Sequence, residues 1–328
     1  MPRIPYSELL QTLSRILEGK GFTGARAAEC ARLFAETTRD GVYSHGVNRF
    51  PRFLAMIDNG TVDIRAQPEL VTAGAALERW NGRHGPGNLN ALASMTRAIE
   101  LARQYSVGCV ALSHTNHWMR GGSYGWQAAD AGMIGLCWTN TMPNLPAWGA
   151  TTAVLGNNPM VIAVPREGGH LVLDMAMSQF SYGALASYRE RAEMLPVDGG
   201  FDSSGKLTRD PGAIEESHRA LPIGYWKGSG LSLVLDAIAA GLSGGLAAFE
   251  IPQDPLREGD LSQLFLVLDP SKIGAGMEIV DRMIGALQQT EPELNVRYPG
   301  EKILKTRAEN LEQGVPVDAA LWNELQQL

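Results

Sequence analysis

The sequence predicts an α/β fold in which helices flank a central sheet. Segments with apolar residues at helical spacing alternate with short apolar runs bounded by Gly, Pro, Asn or Asp, which are typical of buried strands. The 328 residues are 45% hydrophobic and 19% charged, as in globular proteins, and allow a large core. We therefore expect one catalytic unit with two parts.

The predicted elements follow in chain order. Ser7 is placed to cap a first helix that Gly19 ends, and Thr23 to cap a second that ends at Asp40. Further helices are predicted at about 88–105, 231–242, 272–287, 308–313 and 319–328, and strands at 107–113, 133–139, 159–164, 171–174 and 263–268. The 231–242 segment is apolar all round, which predicts a helix buried between layers.

Composition excludes several classes of protein. The net charge of −7 argues against a nucleic-acid partner, which would need a basic surface. No apolar run reaches the roughly 18 residues of a membrane span, so we expect a cytoplasmic protein. The three cysteines, Cys30, Cys109 and Cys137, are far apart, and the spacing favours free thiols over a disulfide or a zinc site.

Residues 19–24 read G-x-G-x-x-G, but they do not predict a dinucleotide site. That fingerprint requires a strand before it and a helix after it, so that the pyrophosphate meets the helix N-terminus. Here a predicted helix precedes the glycines. The interpretation is a helix–helix turn, and a nicotinamide cofactor would have to bind without the Rossmann loop.

The segment 41–50 carries a lone imidazole, His45, between Ser44 and Gly46, with Arg49 four residues on. Histidine can both give and take a proton near neutral pH, and arginine binds a carboxylate through two parallel hydrogen bonds. A surface turn is the alternative, since Gly, Ser and Asn are common in turns. The pairing favours an enzyme that acts on a small 2-oxo or 2-hydroxy acid.

A second polar segment follows the predicted strand 107–113. His114 and His117 could bind a metal if the segment were helical, which would make the protein a metal-dependent hydrolase. At a strand end, however, residues three apart face opposite sides. We therefore expect no metal site and treat His117 as a candidate for substrate contact.

Several other residues are candidates for binding, each with a simpler alternative as a turn former or helix cap. Asp202 could orient His45 as a carboxylate partner. Lys227 and two glycines before an apolar helix suit an anion, and Trp226 offers a face to an aromatic ring. The remaining candidates are Asn158, Asp174, Ser178 and the turn Gly300, Glu301 and Lys302.

Together these segments resemble the malate/L-lactate dehydrogenase type 2 family of NAD(P)-dependent oxidoreductases. The resemblance covers essentially the whole chain and is carried by residues 41–53, 116–129, 195–202 and 224–230. It implies a non-Rossmann α/β fold with a mostly antiparallel sheet, assembled as a homodimer. It also implies hydride transfer to the carbonyl of a small-molecule 2-oxo acid, here a sugar acid, with other 2-oxo acids and cyclic imino acids as alternatives.

The resemblance assigns residue roles as well. His45 becomes the proton donor and Arg49 the carboxylate anchor, with His117 beside them. It implies NAD as cofactor, with NADH expected. NADPH is the alternative, because Arg166 lies in a loop that departs from the family and could bind a 2′-phosphate. Residues 1–118 with 288–328 would form the substrate and dimerisation part and 119–287 the cofactor part. The implied cofactor contacts are His170, Leu171, Val172, Leu173, Asp174, Met175, Ala176, Trp226, Lys227, Gly300, Glu301 and Lys302.

Overall fold

A seven-stranded sheet organises the computed structural model, which describes all of residues 1–328. The strands are β1 Arg3–Ile4, β2 Glu69–Ala73, β3 Leu77–Asn81, β4 Val107–Thr115, β5 Ile134–Thr139, β6 Leu145–Pro146, β7 Ala153–Leu155, β8 Met160–Val164, β9 Leu171–Met175, β10 Gly200–Phe201, β11 Leu207–Thr208, β12 Leu261–Leu268 and β13 Val315–Pro316. The large sheet has the order β2-β3-β4-β12-β5-β8-β9. Only the β3–β4 pair is parallel, which confirms the mostly antiparallel sheet.

Helices cover both faces of this sheet. They are α1 Tyr6–Gly19, α2 Gly24–Arg39, α3 Phe50–Asp58, α4 Gly87–Tyr105, α5 Gly122–Asp130, α6 Tyr182–Glu190, α7 Pro211–Ser217, α8 Trp226–Ser243, α9 Glu278–Thr290, α10 Glu301–Gln313 and α11 Ala319–Gln327. Successive β4 residues point to opposite faces. Val110 and Leu112 therefore pack with α4 and α5, while Ala111 packs with α8.

A separate helical core joins the two ends of the chain. It contains 24 buried residues, drawn largely from α1, α2, α3 and α11. No helix is both long and apolar enough to cross a membrane. The boundary predicted near residue 118 would divide the large sheet, because β4, which precedes it, pairs with β12, which follows it. The division into two parts stays a prediction.

Several predicted bounds are wrong for local reasons. The first helix starts after Pro5, so Ser7 lies within it and does not cap it. The predicted helix at 272–287 is a short 3₁₀ turn, Pro270–Ile273, followed by α9, since Gly274 has a φ of +67°. Helix α8 is not buried all round: its inner face is covered, but Leu233 and Val234 are exposed. The hairpin β2–β3 was not predicted.

The glycine motif at 19–24 joins α1 to α2, as the helix–helix interpretation predicts. Cys30 and Cys137 are buried and Cys109 is half-buried, and all three are free thiols.

Candidate active site

The turn that carries His45 is held against the end of α2. The side chain of Thr38 accepts a hydrogen bond from the backbone N–H of Val47 at 2.9 Å. A Cβ atom at Gly46 would lie 2.4 Å from the Thr38 hydroxyl, so only glycine lets the turn approach this closely. The glycine after His45 therefore fixes where the imidazole lies.

His45 opens into a cavity of about 360 Å³ between the helical core and the sheet. The sequence-predicted residues His45, Arg49, His117, Asp174, Met175 and Ala176 all line it. Such a cavity is large enough for a small acid and the reactive ring of a cofactor. His45 and Asp174 are far apart in the sequence, and the fold brings them into one cavity, which the sequence alone did not predict.

The two predicted active-site imidazoles stack on each other. The ring centroids of His45 and His117 lie 5.8 Å apart with an interplanar angle of 28°. His45 Nδ1 is 2.8 Å from the Ser44 hydroxyl, and His117 Nδ1 accepts the backbone N–H of Met119 at 3.0 Å. His117 Nδ1 is thus an acceptor, and the proton of the neutral ring lies on Nε2.

Both imidazoles are neutral at pH 7 in this state. Burial, followed by the charges of Arg49 and Arg120, lowers the pKa of His45 to about 4. Burial is also the main reason that the pKa of His117 lies well below its ordinary value, and Arg49 adds to the effect. An anion that neutralises Arg49 would raise both pKa values again.

Two guanidinium groups share one buried carboxylate at the same end of the cavity. Glu258 Oε2 accepts from Arg49 Nη2 at 3.0 Å and from Arg52 Nη2 at 3.1 Å. Arg52 also donates through Nε to the Pro255 carbonyl at 2.7 Å. Sequence reasoning found Arg49 but missed Arg52, although the two lie three residues apart, where a helix would bring them together.

A second buried charge network backs the cavity. Arg120 lines it and donates through Nη1 to Asp40 Oδ2 at 2.7 Å, and Arg307 donates to both Asp40 oxygens. Asp174 accepts the N–H of Gly122, at the start of α5, at 2.9 Å. Arg120 was also missed by sequence reasoning, since arginine at a strand-end loop has no signature of its own.

An amide-rich wall faces the arginines. Asn157 Oδ1 accepts from Asn144 Nδ2 and from the Thr141 hydroxyl, both at 3.1 Å, and all three line the cavity. The sequence singled out the neighbouring Asn158. That side chain does not line the cavity: it is fully buried and donates to Ser232 Oγ at 2.9 Å. The backbone at Asn158 has a φ of +22°, so the chain is not extended there, and the Asn158 side chain turns into the core towards Ser232.

The predicted cofactor segments meet along the edge strand β9. The N–H of Val172 donates to the Pro299 carbonyl at 3.0 Å. Gly300 has a φ of +100°, and a Cβ there would lie 3.0 Å from the His170 carbonyl oxygen. The turn holding Gly300, Glu301 and Lys302 therefore packs against the strand that runs from Leu171 through Leu173 to the cavity at Asp174.

Residues 222–227, which include the predicted cofactor contacts Trp226 and Lys227, lie beyond the C-terminal end of β9. Ile223 donates its N–H to the Met177 carbonyl, which places residues 222–227 beside the strand end. Trp226 is 66% exposed and begins α8 with Lys227, whereas Ser178 is buried with an unpartnered hydroxyl. The exposed Trp226 indole and the unpartnered Ser178 hydroxyl are groups suited to contact a cofactor that enters the cavity at this end of β9.

Other candidates lie elsewhere. Asp202 is a turn former: its Oδ1 accepts from the Ser204 hydroxyl and the Lys206 N–H, and it does not line the cavity beside His45. The pKa of Asp202 is lowered by these hydrogen bonds. His170 bonds Asp130 at 2.9 Å, outside the cavity.

His114 and His117 have different surroundings, as the strand geometry predicts. His114 Nδ1 bonds Asp260 Oδ1 at 2.8 Å on a partly exposed surface, whereas His117 faces the cavity. The two imidazoles therefore do not face one common site.

Comparison with known proteins identifies the family of the chain. A family model described as malate/L-lactate dehydrogenase matches residues 4–326. The chain belongs to this family. A 2,3-diketo-L-gulonate reductase of Citrobacter koseri is 43% identical over 332 residues, covering 99% of this chain and 100% of the relative.

Solved structures of two relatives superpose on the whole chain. A Δ1-piperideine-2-carboxylate reductase from Pseudomonas syringae is 30% identical with a TM-score of 0.89, covering 100% of this chain and 99% of that one. A sulfolactate dehydrogenase from Methanocaldococcus jannaschii is 26% identical with a TM-score of 0.92, covering 99% and 96%. This malate/L-lactate dehydrogenase family member is thus an oxidoreductase of 2-oxo or 2-hydroxy acids that uses a nicotinamide cofactor.

Proposed function

We propose that the protein reduces 2,3-diketo-L-gulonate to 3-dehydro-L-gulonate with NADH, His45 being the proton donor. The observation that carries the proposal is the placement of His45, His117 and Arg49 in one cavity at the end of β9. The high identity to 2,3-diketo-L-gulonate reductases along the full chain supports the choice of substrate.

The side chains divide the work between orientation and proton transfer. Arg49 holds the C1 carboxylate, so that the neighbouring C2 carbonyl lies within reach of the edges of both imidazoles. His117 donates a hydrogen bond to the carbonyl oxygen through Nε2–H. His45, as imidazolium, transfers its proton to the same oxygen as negative charge develops there. The bound nicotinamide supplies the hydride.

The surroundings of Arg166 support NADH over NADPH. Arg166 Nε lies 2.5 Å from Asp281 Oδ1, and its guanidinium packs over the Tyr298 ring at 5.4 Å. Arg166 Nη1 also donates to the Gly169 carbonyl at 3.2 Å and to the Tyr298 hydroxyl at 3.3 Å, so most of the guanidinium donors are already engaged and fewer remain for the 2′-phosphate that NADPH would add.

Reduction of a cyclic imino acid is the second candidate, favoured by the likeness to the Δ1-piperideine-2-carboxylate reductase. Such a substrate also carries one carboxylate beside its reducible carbon. It lacks the chain of hydroxyl groups that the Asn144 and Asn157 wall could bind.

The test follows NADH absorbance with purified protein and 2,3-diketo-L-gulonate, Δ1-piperideine-2-carboxylate or pyruvate, with NADPH in parallel. We expect the highest kcat/KM with 2,3-diketo-L-gulonate and NADH. A higher value with either other acid would replace the proposed substrate, and a preference for NADPH would overturn the cofactor assignment.

We also propose that the enzyme works as a cytoplasmic homodimer. The exposed face of α8 supports the dimer, because it is almost wholly apolar. The free thiols Cys30, Cys109 and Cys137 are in keeping with a reducing compartment.

A further inference from the structure

We propose that Glu258 is a specificity-determining residue that restricts the cavity to acids carrying a single negative charge. This inference rests on the proposed function in that the substrate carboxylate binds at Arg49. It adds a rule about which acids the site rejects.

The position of Glu258 is fixed by the fold. Its side chain is 3% exposed, and its Oε2 accepts from both Arg49 and Arg52. The preceding turn is tied down as well, because Pro255 accepts from Arg52 and Leu256 accepts from Asn59 at 2.9 Å. The carboxylate therefore cannot swing away when a ligand enters.

The charges at this end of the cavity leave room for one anion. Arg49 and Arg52 contribute two positive charges and Glu258 one negative charge, which leaves a net charge of +1. Arg120, the other arginine of the cavity, shares Asp40 behind it with Arg307, and its charge also acts on Asp174, the second carboxylate that lines the cavity. One substrate carboxylate balances the charge of these three residues, whereas a second anionic group would meet the like charge of Glu258 and be repelled by it.

The free oxygen of Glu258 favours a different kind of group. Its Oε1 receives no hydrogen bond from the protein and lines the cavity with the rest of the side chain. A carboxylate oxygen accepts hydrogen bonds, so it suits a substrate hydroxyl. 2,3-Diketo-L-gulonate has one carboxylate and several hydroxyls, whereas sulfolactate and malate each carry two anionic groups.

The test compares pyruvate with oxaloacetate, which share the 2-oxo carboxylate and differ by one further carboxylate. In Glu258→Gln we expect the ratio of kcat/KM for oxaloacetate to that for pyruvate to rise about tenfold or more over wild type. Glu258→Asp keeps the charge and should keep a ratio close to that of wild type even where turnover falls. Asp260→Asn, two residues away and outside the cavity, is the matched control and should leave the ratio unchanged.

Arg52→Gln provides a variant with the opposite expectation. Removing a positive charge should lower the ratio, and it keeps the proposal testable if Glu258→Gln does not fold. Where turnover is too slow to measure, competitive inhibition constants of the two acids give the same ratio. An equal loss on both acids in Glu258→Gln, or the same ratio in the Gln and Asp variants, would overturn the proposal.

The proposed function can fail separately. Absence of 2,3-diketo-L-gulonate reduction would remove the named substrate and leave the ratio readable. If the wild type reduces 2,3-diketo-L-gulonate rapidly but Glu258→Gln leaves the oxaloacetate-to-pyruvate ratio unchanged, only the role of Glu258 is overturned.

Discussion

At the scale of single residues, the low pKa of His45 bears on the direction of the proton transfer that we propose for it. Burial and the positive charges of Arg49 and Arg120 lower that pKa to about 4, so the free imidazole is a base at pH 7. The base form accepts the proton of a 2-hydroxy acid, whereas reduction first needs a proton on the ring.

This predicts opposite pH profiles for the two directions. The kcat/KM for oxidation should stay level from pH 8 to pH 5 and fall only near pH 4, while that for reduction should fall about tenfold per pH unit above pH 5. Initial rates of both reactions across pH 3.5–9 check both. His45→Ala should lose most of kcat and the reduction slope, and a break near pH 6.5 in the wild-type oxidation profile would contradict the lowered pKa.

Asp40 is a buried charge that the fold holds with three arginines. It is 2% exposed, and burial alone would raise its pKa, but hydrogen bonds from Arg307 and Arg120 and the charge of Arg39 outweigh burial and lower it. We expect Asp40→Asn to lower the free energy of unfolding by about 3–5 kcal/mol at pH 7, because Arg120 would be left buried beside a neutral amide.

The pKa of the Asp40 carboxyl is lower in the folded than in the unfolded protein. The ionised carboxylate therefore stabilises the fold above the unfolded pKa of about 4, and this stabilisation is lost as the pH falls towards the pKa of the folded state. The difference between wild type and Asp40→Asn in urea unfolding should therefore shrink below pH 4. Asp58→Asn is the control, since Asp58 pairs with Lys20 on the surface and should cost less than about 1 kcal/mol. Equal effects of the two variants would contradict the role given to Asp40.

The same charge networks mark the limit of prediction at this scale. The sequence pointed to His45, Arg49 and His117 because local motifs carry their chemistry. Glu258 lies 209 positions from Arg49, and Asp40 lies 267 from Arg307, so their pairing depends on tertiary structure alone.

At the scale of elements, prediction succeeded where burial imposes a period. Strand β4 has alternating faces, and its buried centre was predicted within two residues. Strand β2 was missed because all five of its residues are exposed, which leaves no alternation to detect. From the sequence, the outer face of α8 is assigned to the interior, because an apolar residue in a sequence does not show whether its side chain is buried or exposed.

The end of α4 offers a prediction of its own. Ser106 ends the helix with a φ of +71°, a left-handed conformation that costs an L-residue about 1–2 kcal/mol and glycine almost nothing. Ser106→Gly should raise the free energy of unfolding by up to about 1 kcal/mol. Gln104→Gly, in the exposed last turn of the same helix, should lower it by about 1 kcal/mol. Denaturant unfolding checks both signs, and a loss of stability in Ser106→Gly would show that the serine side chain outweighs the backbone term.

At the scale of the whole molecule, we propose that copies of the chain assemble through the exposed side of α8. Leu233, Val234 and Trp226 are each more than half exposed. The helix carries only two charged residues, of which Asp236 is buried and accepts from Ala248 at 2.8 Å. An apolar helix face of this length marks an interaction surface, and a two-fold axis would pair it with the same face of a second copy.

A charge placed on that face should therefore separate the subunits. We expect Leu233→Glu to shift the protein from dimer to monomer in sedimentation velocity, because two carboxylates would lie buried near the axis without partners. Leu294→Glu is the matched control: Leu294 is 63% exposed, close to the 57% of Leu233, but lies beyond α9. A dimer that survives Leu233→Glu unchanged would move the interface elsewhere. Because Trp226 and Lys227 begin the same helix, the monomer should also bind NADH more weakly, and a titration of cofactor fluorescence would link assembly to the cofactor site.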